Sequence, residues 1–282
     1  LHGMSFGISS TSVMALVCEY IPKERLGEGL GYFGLGQVVS RIIGPYIGIE
    51  LKDKIGYQSL FVLIALTTGL AILILFTIRV EKKKYKSIKE IGSSIQLSNL
   101  IEKDCVVYAL IAGLFSLANG VTASFMVLLG EERVINNIAL FFSVNAIALA
   151  VLRLVVGKFI DRAKLMPIVI MSLIVSGVSM VMVGNASGLT AILIAAVLKA
   201  IGQGTGQLSL QSACIKKVDA TRVGVATSTY YIGADIGQGL GPIIGGKVSE
   251  LYSYKTMFYF VAKLMVVGII VFITYQIRES RR

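Results

Sequence analysis

Several polar residues lie inside stretches of the sequence that are otherwise apolar. Asp235 follows a run of small and apolar residues, and Lys199, Gln203 and Gln207 recur at intervals of four residues, which puts them on one slowly drifting helical face. A carboxylate in such a place can carry a proton, while an ammonium group and amides can bind an anionic or polar small molecule. A charge exposed to hydrocarbon is costly, so each charged residue here must be paired or serve a function.

Asp235 has two open interpretations. It is a proton carrier, or it is one half of an ion pair inside the membrane, with Arg41 or Lys199 as the cation. Arg41 lies in the middle of an apolar stretch, and for it a cavity role and a packing role are both open. Arg153 and Lys263 lie closer to the ends of such stretches, where a long side chain can extend to the membrane surface.

The composition places these residues in a membrane protein. Of the 282 residues, 55% are hydrophobic and 15% are charged, whereas soluble domains are about 25% charged. Apolar stretches of about 20 residues recur along the chain, and each is long enough to cross ~30 Å of hydrocarbon as a helix. We predict an all-α protein with nine transmembrane helices, at residues 3–21, 27–51, 57–79, 105–129, 136–158, 166–185, 189–213, 223–247 and 255–277.

The net charge of +11 is concentrated in alternate loops between these spans. Because lysine and arginine favour the cytoplasmic side of a membrane, the loops near Lys23 and Lys216 and the C-terminus are predicted to be cytoplasmic. This placement accounts for the positive charge without a nucleic-acid partner. A basic amphipathic linker at 80–104 is expected to lie on the anionic leaflet. It separates a partial bundle at 1–79 from a six-helix bundle at 105–282.

Glycines form a stripe on the same stretch that carries the aspartate. Gly237, Gly241 and Gly245 lie within about 80° of one another on an α-helix. Membrane helices have no hydrophobic drive to associate, so small residues that allow close backbone approach favour their packing. Pro242 can bend this helix, and Gly246 extends the small-residue segment.

An earlier stretch repeats this pattern without a gap, which indicates an internal duplication. The second copy contains six helices and the first only three, so we expect the chain to be a fragment of a longer protein that begins with three more. At one constant offset, the matches pair Arg25 with Arg222, Gly44-Pro45 with Gly241-Pro242, and Gly48 with Gly245.

Two six-helix halves joined by a basic linker resemble the major facilitator superfamily of transporters. The segment from Gly237 to Gly246 resembles the glycine-proline motif of its antiporters, and Gly44-Pro45-x-x-Gly48 is similar to a degraded copy. The resemblance implies that this seam closes the outward end of the transporter and limits leakage. Tight packing without a gating role is the alternative interpretation.

A second resemblance concerns the loop that contains Gly157, Asp161 and Arg162. It is similar to the superfamily's cytoplasmic G-x-x-x-D-R-x-G-[RK] motif, although the internal glycine is missing. The resemblance implies that Asp161 interacts with the positive end of a helix beginning near Gly27 and holds the cytoplasmic gate closed. An ordinary turn-capping aspartate is the alternative.

The same family resemblance implies a central cavity for a small-molecule substrate, lined by two helices with polar faces. Hydrogen bonding between helices is the alternative role for these residues. The predicted cavity residues are His2, Ser5, Ser9 and Ser12 on the first span, Lys199, Gln203 and Gln207 on a later span, and Asn119.

Nothing in the sequence organises bond-breaking chemistry, because it has one histidine, no metal-ligand spacing and no phosphate-binding loop. We expect no enzyme activity, no cofactor and no metal. Cys18, Cys105 and Cys214 are far apart and are predicted to be core residues without a disulfide.

The expected function is proton-coupled export of drugs or small metabolites by a monomeric, multi-pass protein of the cell membrane. An ion gradient would supply the energy, since no nucleotide-binding motif is present. Two alternatives stay open: a proton-coupled importer of a nutrient or organic anion, and a membrane sensor or scaffold that does not transport.

Overall fold

The structure is a computed structural model that describes residues 2–77 and 100–280. Within these residues the chain is almost entirely α-helical, because long apolar segments must satisfy their backbone hydrogen bonds internally. The helices are α1 (His2–Tyr20), α2 (Leu26–Thr77), α3 (Val106–Glu132), α4 (Leu140–Arg162), α5 (Leu165–Asn185), α6 (Leu189–Lys216), α7 (Val223–Leu251) and α8 (Tyr254–Ser280).

Helices occupy all nine predicted spans in the described part of the chain, so the predicted all-α fold is confirmed. Two of the spans fall within α2, which is interrupted at Gly56 by a non-helical backbone with φ of 76°. This positive φ suits glycine, which has no Cβ to clash with the backbone. By length and apolarity alone, six helices in the described residues qualify as membrane spans, or seven if Gly3–Tyr20 and Lys23–Ser40 count as one bent span.

The chain divides into two compact units, Leu1–Leu35 with Gln96–Arg282, and Gly36–Ile95. In the second unit the described residues form the remainder of α2. The predicted division into 1–79, 80–104 and 105–282 follows the expected repeat and stays a prediction. Most of the predicted linker, residues 78–99, lies outside the described residues.

The core of the larger unit is centred on α3. This helix packs against α7 and α8, while α5 packs against α6 and α8, and α4 packs against α6. Most residues of α3 are buried, including the large side chains of Tyr108, Phe115 and Met126. A helix that is buried on nearly all sides positions its neighbours on every face.

The glycine stripe of α7 lies directly against the backbone of α3. A Cβ at Gly237 would collide with the carbonyl of Gly113, and one at Gly241 would lie 2.6 Å from the carbonyl oxygen of Leu117. A Cβ at Gly245 would lie 3.1 Å from the Cγ2 atom of Val121. The predicted close packing is therefore present, and its role in gating stays a prediction.

Two further residues of the predicted motif lie around this seam. The ring of Pro242 borders Gly120 of α3, where an added Cβ would lie 3.0 Å from the Cδ atom of the proline. Gly246 lies at the edge of the seam, with only Phe125 near the position of an added Cβ. Pro242 thus contributes to the α3–α7 contact, and Gly246 adds little to it.

The prediction that the cysteines stay unpaired is wrong for two of them. Cys105 and Cys214 form a disulfide, with Cα atoms 5.3 Å apart. The residues are 109 positions apart in sequence, and only the packing of the start of α3 against the end of α6 brings them together. Cys18 is a free, buried cysteine, as predicted.

The glycine seam gives a first testable prediction. Gly237→Ala in the full-length protein should lower the free energy of unfolding by about 1–3 kcal/mol, because the added methyl group overpacks the contact with α3. The thermal unfolding temperature in detergent measures this loss.

Gly239→Ala is the matched control on the same helix. A Cβ at Gly239 meets nothing within 4 Å, so this variant should be as stable as the wild type or slightly more stable. Equal unfolding temperatures for the two variants would show that the seam does not limit stability.

Candidate functional site

A line of hydrogen-bonded polar side chains runs through the interior of the larger unit. The Lys199 ammonium, on a residue that is 2% exposed, donates to the amide oxygen of Asn119 at 2.8 Å and to that of Gln203 at 2.7 Å. Gln203 donates to Gln207 at 3.3 Å, and Gln207 donates to the Ser116 hydroxyl at 3.0 Å. The structure therefore joins four of the predicted cavity residues in one network between α3 and α6.

The network continues toward α7. Asn119 donates from its amide nitrogen to the side-chain oxygen of Gln238 at 3.0 Å. The Tyr230 hydroxyl donates to the backbone carbonyl of Gln207 at 2.8 Å. Three helices thus present donors and acceptors to one region, which is the arrangement that orients a polar ligand.

Asp235 lies on α7 one turn from Gln238 and is exposed at the surface of the structure. Among the described residues it makes no hydrogen bond and no ion pair. The Lys199 ammonium bonds to the amides named above, so the structure does not place Lys199 as its partner. The other predicted cation, Arg41, has a side chain outside the described part of the chain.

The remaining predicted cavity residues on α1 are not joined to this network. Ser5, Ser9 and Ser12 are exposed, and the Ser9 hydroxyl donates to the backbone carbonyl of Ser5 at 2.8 Å. Their predicted contact with substrate is untested. The side chains of His2 and Arg41, and the surroundings of Gly44, Pro45 and Gly48, lie outside the described residues.

Asp161 makes the contact that the family resemblance implied. Its carboxylate accepts hydrogen bonds from the backbone N–H groups of Gly27 and Glu28, at 2.9 and 3.0 Å, and forms an ion pair with Lys216 at 2.7 Å. The side chain is only 6% exposed. An anion at the start of a helix satisfies its free N–H groups and interacts favourably with the helix dipole. One carboxylate thus links α2, α4 and α6, whereas Arg162 is exposed.

A second row of glycines, not recognised from the sequence, lies beside this contact. An added Cβ at Gly27 would lie 3.0 Å from the carbonyl oxygen of Gly157, and one at Gly31 would lie 2.9 Å from the carbonyl oxygen of Arg153. Gly34 faces the Arg153 guanidinium, which fills the space of any side chain there. The spacing of Gly27, Gly31 and Gly34 was the available signal, because it places them on one helical face.

Arg153 lies at a contact between helices that the sequence did not indicate. It is partly buried, and its guanidinium lies against Gly34 at the α2–α4 contact. Its position near the end of a predicted span could not indicate this neighbouring helix, and its reach to the membrane surface stays a prediction.

Ion pairs gather at the same end of the larger unit. Arg222 donates to Glu102 at 2.6 Å, and Lys217 forms an ion pair with Glu279 and donates to the Tyr275 hydroxyl at 2.9 Å. Burial alone would lower the pKa of Lys217, but the hydrogen bonds to Glu279 and Tyr275 outweigh it, and the pKa is raised above its usual value. The first pair ties the start of α7 to the segment before α3, and the second ties the end of α6 to the end of α8.

The chain belongs to the Major Facilitator Superfamily, because the model of this family matches residues 1–166 and 108–282. The multidrug resistance protein MdtG of Klebsiella pneumoniae (strain 342) is 26% identical over 272 residues, which are 92% of this chain and 63% of that protein. An uncharacterized MFS-type transporter of Methanocaldococcus jannaschii is 25% identical, over 94% of this chain and 71% of its own length. The chain thus spans less than two thirds of the length of MdtG.

Solved structures share the fold at low sequence identity. The human organic anion transporter MFSD10 (TETRAN) superposes with a TM-score of 0.74 at 15% identity, over 92% of this chain and 66% of that one. The E. coli fucose:proton symporter FucP superposes with a TM-score of 0.71 at 16% identity, over 93% of this chain and 72% of that one. Both similarities support the same helical architecture.

The Asp161 contact gives the second testable prediction. Asp161→Asn in the full-length protein should lower the free energy of unfolding by about 1.5–3 kcal/mol, because an amide cannot accept both N–H groups and also pair with Lys216. Denaturant or thermal unfolding in detergent measures the change.

Asp219→Asn is the matched control at the same end of the protein. Asp219 is exposed and its side chain makes no capping hydrogen bond, so the variant should stay within about 0.5 kcal/mol of the wild type. A stable Asp161→Asn protein would mean that the carboxylate is dispensable for holding α2 against α4 and α6.

Proposed function

We propose that the full-length protein is a secondary active transporter that exports drugs or small metabolites across the cell membrane in exchange for protons. The observation that carries this proposal is the line of polar groups around Lys199, held inside an otherwise apolar bundle. A buried polar network costs free energy unless its hydrogen bonds are satisfied, and an apolar bundle folds without one. In a member of a transporter family, a substrate path is the use that fits it best.

The direction of transport rests on two further supports. The glycine seam of α7 has the pattern associated with antiporters of this family, and one relative bears the name of a multidrug resistance protein. A seam in which α3 and α7 touch backbone to backbone leaves little room for water between them. Such a seam favours exchange over leakage of protons down their gradient.

The contacts at one end of the larger unit support alternating access. That end carries the Asp161 contact and the ion pairs of Lys217 and Arg222, which can break and reform as the helices separate. Basic residues concentrate at this end, so we place it, together with the C-terminus, in the cytoplasm. The contact of Asp161 with Gly27 and Glu28 then acts as the cytoplasmic gate.

Asp235 is the proposed proton carrier. It is exposed on α7, and in the described part of the chain no cation or donor neutralises it. It also lies one turn from Gln238, which accepts a hydrogen bond from Asn119. Proton binding at Asp235 can therefore influence the network that holds Lys199.

The test is transport by the full-length protein in sealed vesicles with an imposed proton gradient. We expect uphill movement of a fluorescent cationic drug against the direction of proton flow, and its abolition by a protonophore. Movement of a substrate in the same direction as protons would contradict export and favour the importer.

Asp235→Asn is the third prediction. It should abolish uphill transport while leaving substrate binding and downhill exchange measurable, since the amide keeps the size of the side chain and cannot ionise. Glu250→Gln, at an exposed position near the end of α7, is the control and should transport normally. Loss of thermal stability together with all transport modes would instead indicate a structural ion pair, and unaltered uphill export would exclude Asp235 as the carrier.

A second candidate function, import of an organic anion, is favoured by one observation. The Lys199 ammonium is buried and held in place by two amide oxygens, so its charge is positioned before a ligand arrives. A carboxylate or sulfonate substrate would bind this ammonium group by replacing one of its two hydrogen bonds to amide oxygens.

The fourth prediction separates the two candidates. Lys199→Gln should weaken binding of an anionic substrate about tenfold or more and leave a cationic drug nearly unaffected, because a charged hydrogen bond contributes about 1.5–3 kcal/mol. Equilibrium binding of radiolabelled ligand to the protein in detergent measures both affinities. An equal loss for both ligands would assign Lys199 to stability of the network alone.

A further inference from the structure

A groove on the surface of the larger unit lies between α5 and α8, away from the polar network. It has a volume of about 420 Å³. Its walls are apolar, except where Lys263 borders them. Residues from both helices form it, including Ile174, Gly177 and Met182 on α5 and Tyr259, Val266 and Ile269 on α8.

Gly177 lies in the wall of this groove. An added Cβ at Gly177 would lie 3.6 Å from the Cβ atom of Met265, at the ordinary contact distance. A methyl group at Gly177 on α5 would therefore just contact Met265 on α8. A larger side chain at Gly177 would fill the groove. The segment from Tyr259 to Ile269 is about 15 Å long at 1.5 Å per residue, which is about half of a ~30 Å hydrocarbon core.

A basic cleft adjoins the groove at the end where α5 finishes and α8 begins. It has a volume of about 390 Å³, and Arg133, Asn185, Ser187 and Lys255 are among the residues that line it. Asn185 donates to the hydroxyl of Tyr259 at 2.6 Å, and the Lys255 ammonium lies 5.8 Å from the centre of the same ring. Tyr259 therefore belongs to the groove and touches the cleft.

Of the two cations of the cleft, Arg133 is engaged by the end of α5 and Lys255 is not. Arg133 donates to the carbonyl oxygens of Val183, Gly184 and Ala186, at 3.3, 2.8 and 2.6 Å. These bonds neutralise the negative end of the helix dipole. Lys255 is exposed at the mouth of the cleft.

Lys263 adds a second cation along the same face of α8. Lys255, Tyr259 and Lys263 are four residues apart, which places them in one row. Lys263 is exposed, and it makes no hydrogen bond or ion pair with any residue that the structure describes. A lysine at this depth must extend its ammonium toward the membrane surface to find a polar partner.

We propose that this row binds one anionic glycerophospholipid. One acyl chain lies in the groove between α5 and α8, and the phosphate lies at the cleft, where the ammonium groups of Lys255 and Lys263 converge on it. The aromatic ring of Tyr259 lies between the two parts, and aromatic side chains are enriched where membrane proteins meet lipid headgroups. The groove accounts for binding of the acyl chain, and the two lysines account for the preference for a negatively charged headgroup.

The test is native mass spectrometry of the full-length protein in detergent, titrated with phosphatidylglycerol or with phosphatidylcholine of the same acyl length. The wild type should bind phosphatidylglycerol more tightly. The double variant Lys255→Gln/Lys263→Gln should weaken phosphatidylglycerol binding about tenfold or more, at about fivefold for each lysine near a headgroup. It should weaken phosphatidylcholine less, because the choline cation of that lipid offsets the charge of its phosphate.

Two further variants separate the charge from the groove. Gly177→Leu should weaken both lipids, because it occupies the space of the acyl chain, and its unfolding temperature shows whether it is folded. Lys247→Gln is the control, at an exposed position on α7 where the lysine pairs with Glu250, and it should bind both lipids as the wild type does.

The proposal fails if the wild type binds the two lipids equally, or if the double variant and Lys247→Gln retain phosphatidylglycerol to the same extent. Inorganic phosphate, which has the charge without the acyl chain, should not displace phosphatidylglycerol at equal concentration. Displacement by inorganic phosphate would make the cleft a site for free anions and would overturn the lipid assignment. If Gly177→Leu does not fold, the lysine variants alone decide the outcome.

Discussion

Close contact between the backbones of α3 and α7 is the constraint on which the larger unit depends, since lipid offers these helices no hydrophobic reason to associate. Dispersion contacts require atoms to touch, and only residues without large side chains let two helical backbones do so. Gly113 and Gly237 meet in this way. The same contact fixes the rotation of α3, and with it the direction of Ser116 and Asn119. The polar network therefore depends on a seam that contains almost no polar side chains.

The helix α6 connects the two polar regions of the molecule. Its middle carries Lys199, Gln203 and Gln207, and its end carries Lys216, which pairs with Asp161. Because a helix is stiff along its axis, a displacement of the end of α6 would also move the network residues in its middle. The exposed Asp235 on the neighbouring α7 gives a titrating group within one turn of this network. These placements put Lys199, Asp235 and the lysine partner of Asp161 on two adjoining helices.

Sequence patterns identified the site residues whose role depends on a single helix. Intervals of four residues put Lys199, Gln203 and Gln207 on one face, and the structure joins them by hydrogen bonds. The motif around Asp161 indicated its helix partner through family resemblance. Patterns within one helix could not indicate the disulfide of Cys105 with Cys214, or the contact of Arg153 with Gly34, because both depend on which helix lies alongside.

The sequence by itself determined the all-α membrane fold, the positions of its helices and the glycine stripe of α7. Hydrocarbon thickness and backbone hydrogen bonding leave a long apolar segment few alternatives to a helix, so local composition suffices. Only the tertiary structure decided which helices touch, which cation Asp161 meets, and that Asp235 has no partner among the described residues. Such contacts depend on the rotation and tilt of whole helices, which are set by packing against several neighbours at once and leave little trace in any one segment.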